Sequence, residues 1–234
     1  MNGAITAVCF DLDGTLLRDD NADRVVRAVA YELGERCGVD ADVLAAANQR
    51  AWNDYWPEAG SAWLRGDLPA DAVPREVWRR ALATVGVDDP TATEAAVRLH
   101  VQLESSAHEL YPEAAEVLTA LRSRGILTAI ITNGPSAVQR AKLERVGLDG
   151  FEAVIVSGEV GMEKPDAGIF RTALDQLGVD AAATVHVGDN QSADVAGASS
   201  AGLTAVWINR TGAEKMSDPD HAITDLRGLL AIVG

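Results

Sequence analysis

The chain has 234 residues, of which 47% are hydrophobic, enough for one sizeable domain or two modest ones with a buried core. Asp and Glu outnumber Lys and Arg by 35 to 20, and the net charge of −15 disfavours nucleic acids and anionic membrane surfaces as partners. The two cysteines make no disulfide framework and no apolar run approaches the length of a membrane span, so we expect a cytoplasmic protein.

Short runs rich in apolar and β-branched residues recur along the chain and predict the strands of a sheet. Most of these runs are continuously apolar rather than alternating, which is typical of strands covered on both faces. The predicted strands are 6–10, 127–132, 153–157, 184–188 and 204–208, with a weaker sixth at 221–226.

Helical patterns lie between most of these strands. The pattern at 111–125 has Pro112 and Glu113 near its start and Gly125 as a stop, and similar patterns follow at 136–148, 166–179 and 192–203. This alternation of strand and helix predicts an α/β fold with a Rossmann-like, doubly wound parallel sheet.

One segment interrupts the alternation. Between about residues 18 and 108 the sequence contains no convincing strand and predicts amphipathic helices at 22–37, 41–56, 74–85 and 91–108. We therefore expect an all-helical domain, 18–108, inserted into an α/β domain formed by 1–17 and 109–234. Four of the five tryptophans lie in this insert, where they fit its own core better than a ligand surface: Trp52, Trp56, Trp63 and Trp78.

Polar residues follow the predicted strands at the end where open α/β sheets bind ligands. Asp11 and Asp13 follow the first strand, in the stretch CFDLDGTLL. The later strands are followed in turn by Thr132, Asn133 and Gly134, by Lys164, and by Asp189 and Asn190. Because the carboxyl ends of parallel strands meet at one edge of the sheet, we expect all of these residues to face one crevice.

This set of residue types fits a magnesium-assisted phosphoryl transfer. Mg²⁺ prefers oxygen ligands, so that Asp11 and Asp189 can each supply one oxygen and the backbone carbonyl of Asp13 another. A carboxylate can also attack phosphorus, and Asp11 at the strand end is the best-placed nucleophile. Asp13 can act as acid and then base, provided that its pKa is raised enough to keep it protonated at the first step.

The remaining positions supply groups for a bound phosphate. Thr132 and Asn133 are candidate substrate-binding residues, through the Thr132 hydroxyl and nearby backbone N–H groups, and Lys164 supplies a positive charge for the transferring group. Asp194 fits either an acid in the first turn of a helix or a residue that also orients Lys164 or the metal shell. His186 lies inside a strand and is expected to be a packed core histidine.

FDLDGTLL, IITNG, the Lys164 of EKPD and VGDNQSAD, in this order, resemble the four motifs of the haloacid dehalogenase superfamily of hydrolases. The resemblance covers the core, about residues 1–17 and 109–234. It implies Mg²⁺, an aspartyl-phosphate intermediate, and an insert of the C1 cap type that closes over the site and selects the leaving group. The implied roles are Asp11 as nucleophile, Asp13 as acid and base, Thr132 and Lys164 as phosphate binders, and Asp189 as a metal ligand.

Further residues indicate which subgroup and which reaction of the superfamily the chain resembles. AGLTAVWINR and TNGPSAVQRAKL resemble, more weakly, the subgroup of acylneuraminate-9-phosphatases and pyrimidine 5'-nucleotidases. Within the superfamily, an acid at Asp13 favours phosphate esters over haloacids, because a halide leaves without a proton. Phosphonate hydrolases of the superfamily use a cap lysine, whereas residues 18–108 contain none, which argues against a Schiff-base mechanism.

The prediction is thus a phosphatase for a small phosphorylated metabolite, such as a sugar phosphate or a nucleoside monophosphate, acting as a monomer or homodimer. A phosphosugar mutase with the same core would depend on a bisphosphate activator, and a 2-haloacid dehalogenase is a further alternative. A catalytically silent phosphometabolite-binding protein would typically have lost Asp11 or Asp13. A receiver domain uses similar residues in about half this length, without the helical insert.

Overall fold

The computed structural model describes residues 4–234, so that residues 1–3 of the predicted α/β domain lie outside the described part of the chain. Six strands form one parallel sheet in the order β3-β2-β1-β4-β5-β6. The strands are β1 (Ala7–Phe10), β2 (Leu127–Thr132), β3 (Ala153–Val156), β4 (Thr184–Gly188), β5 (Thr204–Ile208) and β6 (His221–Ile223). The α/β class and the parallel sheet are therefore confirmed, with the sixth strand shorter than predicted.

The central strand β1 is buried on both faces, because successive side chains point to opposite sides of the sheet. Phe10 packs on one side, in a core that includes Leu118 and Leu143. Cys9 packs on the other side, in a core that includes Phe170 and Val195. Besides a π-helix at Gln191–Ala196, the helices associated with the sheet are α5 (Ala114–Ser123), α6 (Ser136–Arg145), α7 (Ser157–Val160), α8 (Ala167–Leu177), α9 (Gly197–Ala201) and α10 (Leu229–Ile232).

Four helices lie between β1 and α5, as predicted for the insert. They are α1 (Ala22–Cys37), α2 (Ala41–Leu64), α3 (Ala72–Thr84) and α4 (Pro90–Ala107). Their apolar faces form a core of their own, in which Trp78 is fully buried against residues such as Leu33 and Leu82. Trp78 is therefore core, whereas the other three insert tryptophans are only partly buried.

Helix α2 is longer than predicted. The predicted helix ends at residue 56, but the observed helix continues through Pro57, which cannot donate an intrahelical hydrogen bond, to Leu64. Pro57 lies on the exposed side, and the opposite side packs Ala59 into a cluster with Val73 and Val77. This packing compensates for the missing hydrogen bond.

The two connections between the sheet and the insert run side by side. The backbone N–H of Arg18 donates to the carbonyl of Glu109 at 2.9 Å, and that of Tyr111 donates to Leu16 at 2.9 Å. Both connections thus leave the sheet at the carboxyl end of β1, next to the predicted site. Within residues 4–234, no helix has the length and apolar character needed to cross a membrane.

Candidate active site

Asp11, Lys164 and Asp194 meet at the carboxyl end of β1. The Lys164 ammonium donates to Asp11 Oδ1 at 2.5 Å and to Asp194 Oδ1 at 2.6 Å. All three residues are more than nine-tenths buried. Burial disfavours the ammonium charge, but the two carboxylates outweigh this effect and raise the pKa of Lys164. Lys164 is therefore a fixed positive charge beside Asp11.

Asp194 is held by three groups. Besides Lys164, its carboxylate contacts His186 Nε2 at 3.0 Å and accepts the backbone N–H of Asn190 at 3.0 Å. Although burial works in the opposite direction, Lys164 and His186 lower the pKa of Asp194 well below its usual range. Of the two interpretations of Asp194, this geometry favours the residue that orients Lys164.

His186 is packed as predicted, but it also touches the site. Its ring lies edge-on to Phe170 with centroids 5.0 Å apart, and its Nε2 contacts Asp194. Burial lowers the pKa of His186, even though Asp194 favours the charged ring. A neutral His186 therefore contacts the Asp194 carboxylate through its Nε2.

Asp189 completes a buried group of acids. One oxygen from each of Asp11, Asp189 and Asp194 lies within 4.8 Å of the others. Burial, followed by the negative charge of Asp194, raises the pKa of Asp189 to about 7. Burial, which outweighs the attraction of Lys164, also holds the pKa of Asp11 well above its usual range. The raised pKa values of Asp11 and Asp189 show that Lys164 alone does not offset the charge of three ionised carboxylates at this place.

Gly14 is required for the approach of Asp189. Its φ of +77° is in the left-handed region, and a Cβ built on it would lie 2.7 Å from Asp189 Oδ2. Any larger residue at position 14 would push this carboxylate out of the group of acids.

Asp13 does not face this group of acids. Its two oxygens each lie 2.9 Å from the Lys142 ammonium, and one also accepts Gln139 Nε2 at 3.0 Å. Burial works to raise the pKa of Asp13, but Lys142 and Gln139 together outweigh burial and lower it. The raised pKa that the acid role of Asp13 requires is therefore absent in this conformation, because Lys142 and Gln139 stabilise the charged carboxylate.

Thr132 and Asn133 lie at the same edge of the sheet. The Thr132 hydroxyl accepts Gln139 Nε2 at 2.5 Å, which links it to Asp13. The Asn133 amide accepts the Lys164 backbone N–H at 2.8 Å and donates to the Lys164 carbonyl at 3.0 Å. The Asn133 side chain therefore positions the loop that carries Lys164.

Sequence reasoning missed three side chains of this site. Gln139 and Lys142 are three residues apart on α6, both buried, and this spacing on the helix after Thr132 is a signal that could have identified them. Arg210, beyond β5, donates to the carbonyls of Gly14 at 3.2 Å and Thr15 at 2.8 Å.

Arg210 is itself held on two further sides. Its guanidinium lies 3.4 Å from the ring centroid of Tyr111, and it forms an ion pair with the buried Glu113 at 2.8 Å. Only the tertiary fold brings Arg210 to the loop that follows Asp11.

A family model for haloacid dehalogenase-like hydrolases matches residues 5–202, and the chain belongs to this family. The sequence is 38% identical to a phosphoserine phosphatase of Thermus thermophilus, over 93% of this chain and 95% of the relative. It is 34% identical to a ribulose-1,5-bisphosphate 5-phosphatase of Halopiger xanaduensis, over 94% and 92% of the two chains.

Two other comparisons concern the predicted nucleotidase subgroup and the alternative of a 2-haloacid dehalogenase. A pyrimidine 5'-nucleotidase of Escherichia coli, which represents one activity of the predicted subgroup, is 31% identical over 86% of this chain and 85% of its own. A 2-haloacid dehalogenase of Pseudomonas syringae has a similar structure, with a TM-score of 0.71, 29% identity and 98% of both chains covered. The predicted family and the predicted class, a hydrolase, are thus confirmed.

Proposed function

We propose that this protein is a Mg²⁺-dependent phosphatase that hydrolyses the phosphate monoester of a small metabolite through an aspartyl-phosphate on Asp11. The observation that carries the proposal is the 2.5 Å contact between Lys164 and Asp11, inside a buried group of acids at the end of the central strand. The phosphatases among the relatives support the same reaction class.

The residues at this edge of the sheet fit a divalent cation. Asp194 already has Lys164, His186 and a backbone N–H as partners, so that Asp11 and Asp189 are the carboxylates with oxygens left to bind metal. When bound, Mg²⁺ would neutralise charge on the phosphate and its carboxylate neighbours. The proposed ligands are Asp11, Asp189 and the backbone carbonyl of Asp13.

In the first step of the proposed reaction, an Asp11 carboxylate oxygen forms a bond to phosphorus while the bond from phosphorus to the ester oxygen breaks. The leaving oxygen takes a proton from Asp13, which has to turn away from Lys142 to deliver it. In the second step, water attacks the phosphorus, Asp13 takes the proton of this water, and inorganic phosphate leaves with Asp11 restored. Lys164 and the Thr132 hydroxyl bind the phosphate oxygens in both steps.

The alternative of a 2-haloacid dehalogenase has the support of the similar structure. A halide needs no proton to leave, whereas an alkoxide does. Asp13, whose carboxylate is positioned by Lys142 and Gln139, is an acid for which haloacid chemistry has no use. For this reason we favour the phosphate ester.

The proposal includes the two-domain division, with the core at 1–17 and 109–234 and the cap at 18–108. The side-by-side connections at Arg18 and Glu109 support this boundary. A cytoplasmic location and a monomer or homodimer stay predictions.

The test is release of phosphate from phenyl phosphate in Mg²⁺ or in chelator, with halide release from 2-chloropropionate measured in parallel. We expect Mg²⁺-dependent phosphate release that Asp11→Asn abolishes and Asp13→Asn lowers at least a hundredfold, and no halide release. Asp218→Asn, in an exposed ion pair with Lys215, is the matched control. Phosphate release that survives in Asp11→Asn would overturn the role of Asp11, and halide release would support the dehalogenase.

A further inference from the structure

A cavity of about 730 Å³ extends from Asp13 and Asn133 into the helical insert. It is large enough for a group well beyond the phosphate itself. Because it begins at the proposed acid and base, it is the space into which the leaving group of a substrate would extend.

Aromatic rings form one wall of this cavity. Trp52 and Trp56 are one turn apart on α2 and stack with centroids 5.0 Å apart and an angle of 14° between their planes. Trp63 lies edge-on to Trp56, at 6.1 Å. A Cβ at Gly60 would lie 2.8 Å from the Trp56 ring, so that the glycine lets this ring lie close to the helix. Such a wall suits a flat ring.

The charges around the cavity disfavour an anion. Lys142 is the only lysine or arginine among the described residues that line it, and Lys142 is already paired with Asp13. Burial lowers the pKa of both His100 and His108, which are therefore neutral at pH 7. The wall also carries carboxylates, including Asp23 and Glu104. In this conformation, a second anionic group on the leaving group would meet carboxylates and a single cation that is already paired with Asp13.

One buried amide on the wall has no partner. Asn48 is 5% exposed, lies one turn before Trp52 on the same face of α2, and lines the cavity. Within residues 4–234 its side chain takes part in no hydrogen bond, in contrast to Gln49, which donates to Asn53 at 3.2 Å. The Asn48 amide therefore offers both a donor and an acceptor to a ligand in the cavity that carries the complementary pair.

From these observations we infer the substrate class, which rests on the proposed function: a phosphate monoester whose leaving group is a neutral, flat ring carrying an amide-like donor and acceptor. The ring packs against the wall formed by the stacked pair Trp52 and Trp56, and Asn48 hydrogen-bonds its polar edge. Leaving groups with a carboxylate or a second phosphate are rejected.

Three aryl phosphates of similar shape test the inference: phenyl phosphate, 4-carbamoylphenyl phosphate and 4-carboxyphenyl phosphate. The last two differ in the charge of one planar group. We expect kcat/KM for the carbamoyl ester to be at least tenfold above that for the carboxylate ester. Glu104→Gln should reduce this ratio about threefold, because it removes one of the repelling charges.

The substitution Asn48→Leu tests the hydrogen bond between Asn48 and the ring, because leucine has a similar shape but no amide. We expect the preference for carbamoyl over unsubstituted phenyl to fall about tenfold in this variant and to be unchanged in Asn53→Leu, on the exposed side of α2. Equal kcat/KM values for the carbamoyl and carboxylate esters would overturn the inference while leaving the phosphatase in place.

Binding of the free phenols gives a second readout that does not depend on turnover. We expect 4-hydroxybenzamide to quench the tryptophan fluorescence of the protein at a concentration at least tenfold lower than 4-hydroxybenzoate. If none of the three esters releases phosphate, the proposed function fails, and this comparison alone decides whether the cavity selects neutral rings.

Discussion

The Lys142 ammonium lies 2.9 Å from both carboxylate oxygens of Asp13, a residue 129 positions earlier in the chain. The lysine side chain is only 11% exposed, whereas that of Asp13 is 36% exposed. The pair is therefore partly desolvated, and in this structure it holds the carboxylate of the proposed acid and base on α6.

A double-mutant cycle with Lys142→Met and Asp13→Asn should measure this interaction. Because the pair is neither fully buried nor fully exposed, we expect a coupling of about 1–2 kcal/mol in the free energy of unfolding. The measurement is urea denaturation of the wild type, both single variants and the double variant. The exposed pair Lys215 and Asp218 is the control, for which we expect a clearly smaller coupling, and equal couplings for the two pairs would contradict the expectation.

Mg²⁺ should stabilise the folded protein through Asp11 and Asp189. At a concentration 100-fold above its Kd, a ligand that binds only the native state adds about 2.7 kcal/mol, which corresponds to a rise in Tm of roughly 5–10 °C for a chain of this length. Thermal unfolding with MgCl₂ and with EDTA measures this shift. It should be present in Asp218→Asn and absent from Asp189→Asn; a shift of the same size in both variants would place the metal elsewhere.

Gly188 should tolerate no side chain. A Cβ at this position would lie 2.2 Å from the Asp194 carboxyl carbon, so that Gly188→Ala has to displace the carboxylate that holds Lys164. We expect a loss of about 2 kcal/mol in the free energy of unfolding and at least a tenfold fall in kcat for phenyl phosphate.

Gly86→Ala is the matched control for this substitution. Gly86 has a φ of +82° and nothing within 4 Å of its Cβ position, so that the added methyl strains only the backbone, at a cost of about 1 kcal/mol. We expect its kcat to be unchanged. A wild-type kcat in Gly188→Ala would mean that the position of Asp194 is not critical.

Glu76 should make the insert more stable at neutral pH than in acid. Hydrogen bonds from Arg79, opposed by burial and assisted by Arg80, lower the pKa of Glu76 from 4.5 to about 2. The lowered value means that the stabilisation is complete above pH 4.5 and is lost as the pH falls toward 2. We expect Glu76→Gln to cost about 1 kcal/mol at pH 7 and progressively less below pH 4.5, measured by urea denaturation.

Asp54→Asn provides the comparison for Glu76. Asp54 is exposed on α2 and belongs to none of the ion pairs formed by residues 4–234. Its substitution should change the unfolding free energy by less than about 0.5 kcal/mol at either pH. A cost for Glu76→Gln that stays constant from pH 7 to pH 3.5 would rule out the ionised carboxylate as its source.

The sheet was predictable because its strands are short apolar runs with clear ends, and the same reasoning placed Asp11, Lys164 and Asp189 at one edge. The bounds of α1 were also predicted correctly, since its periodicity is strong and Gly38 stops it with a φ of +68°. Both features are determined by residues that are close together in the sequence.

Features that depend on distant parts of the chain were not predictable in this way. The continuation of α2 past Pro57 depends on packing against α3, which the local pattern does not contain. Lys142 is a polar residue that α6 buries, and only its three-residue spacing from Gln139, not hydrophobic periodicity, marks it in the sequence. Its effect on the pKa of Asp13 depends on a contact between residues 129 positions apart.

The contacts of Arg210 have a consequence for how the protein is made. The loop after Asp11 is synthesised long before the residue that binds its carbonyls, because Gly14 contacts an arginine 196 residues later, and β1 pairs with β4, in which Thr184 is the partner of Ala7. Non-local pairings of this kind form late, because a long loop has to close first. A nascent chain therefore contains Asp11 well before it can form the surroundings of this residue, which require β4, β5 and Arg210.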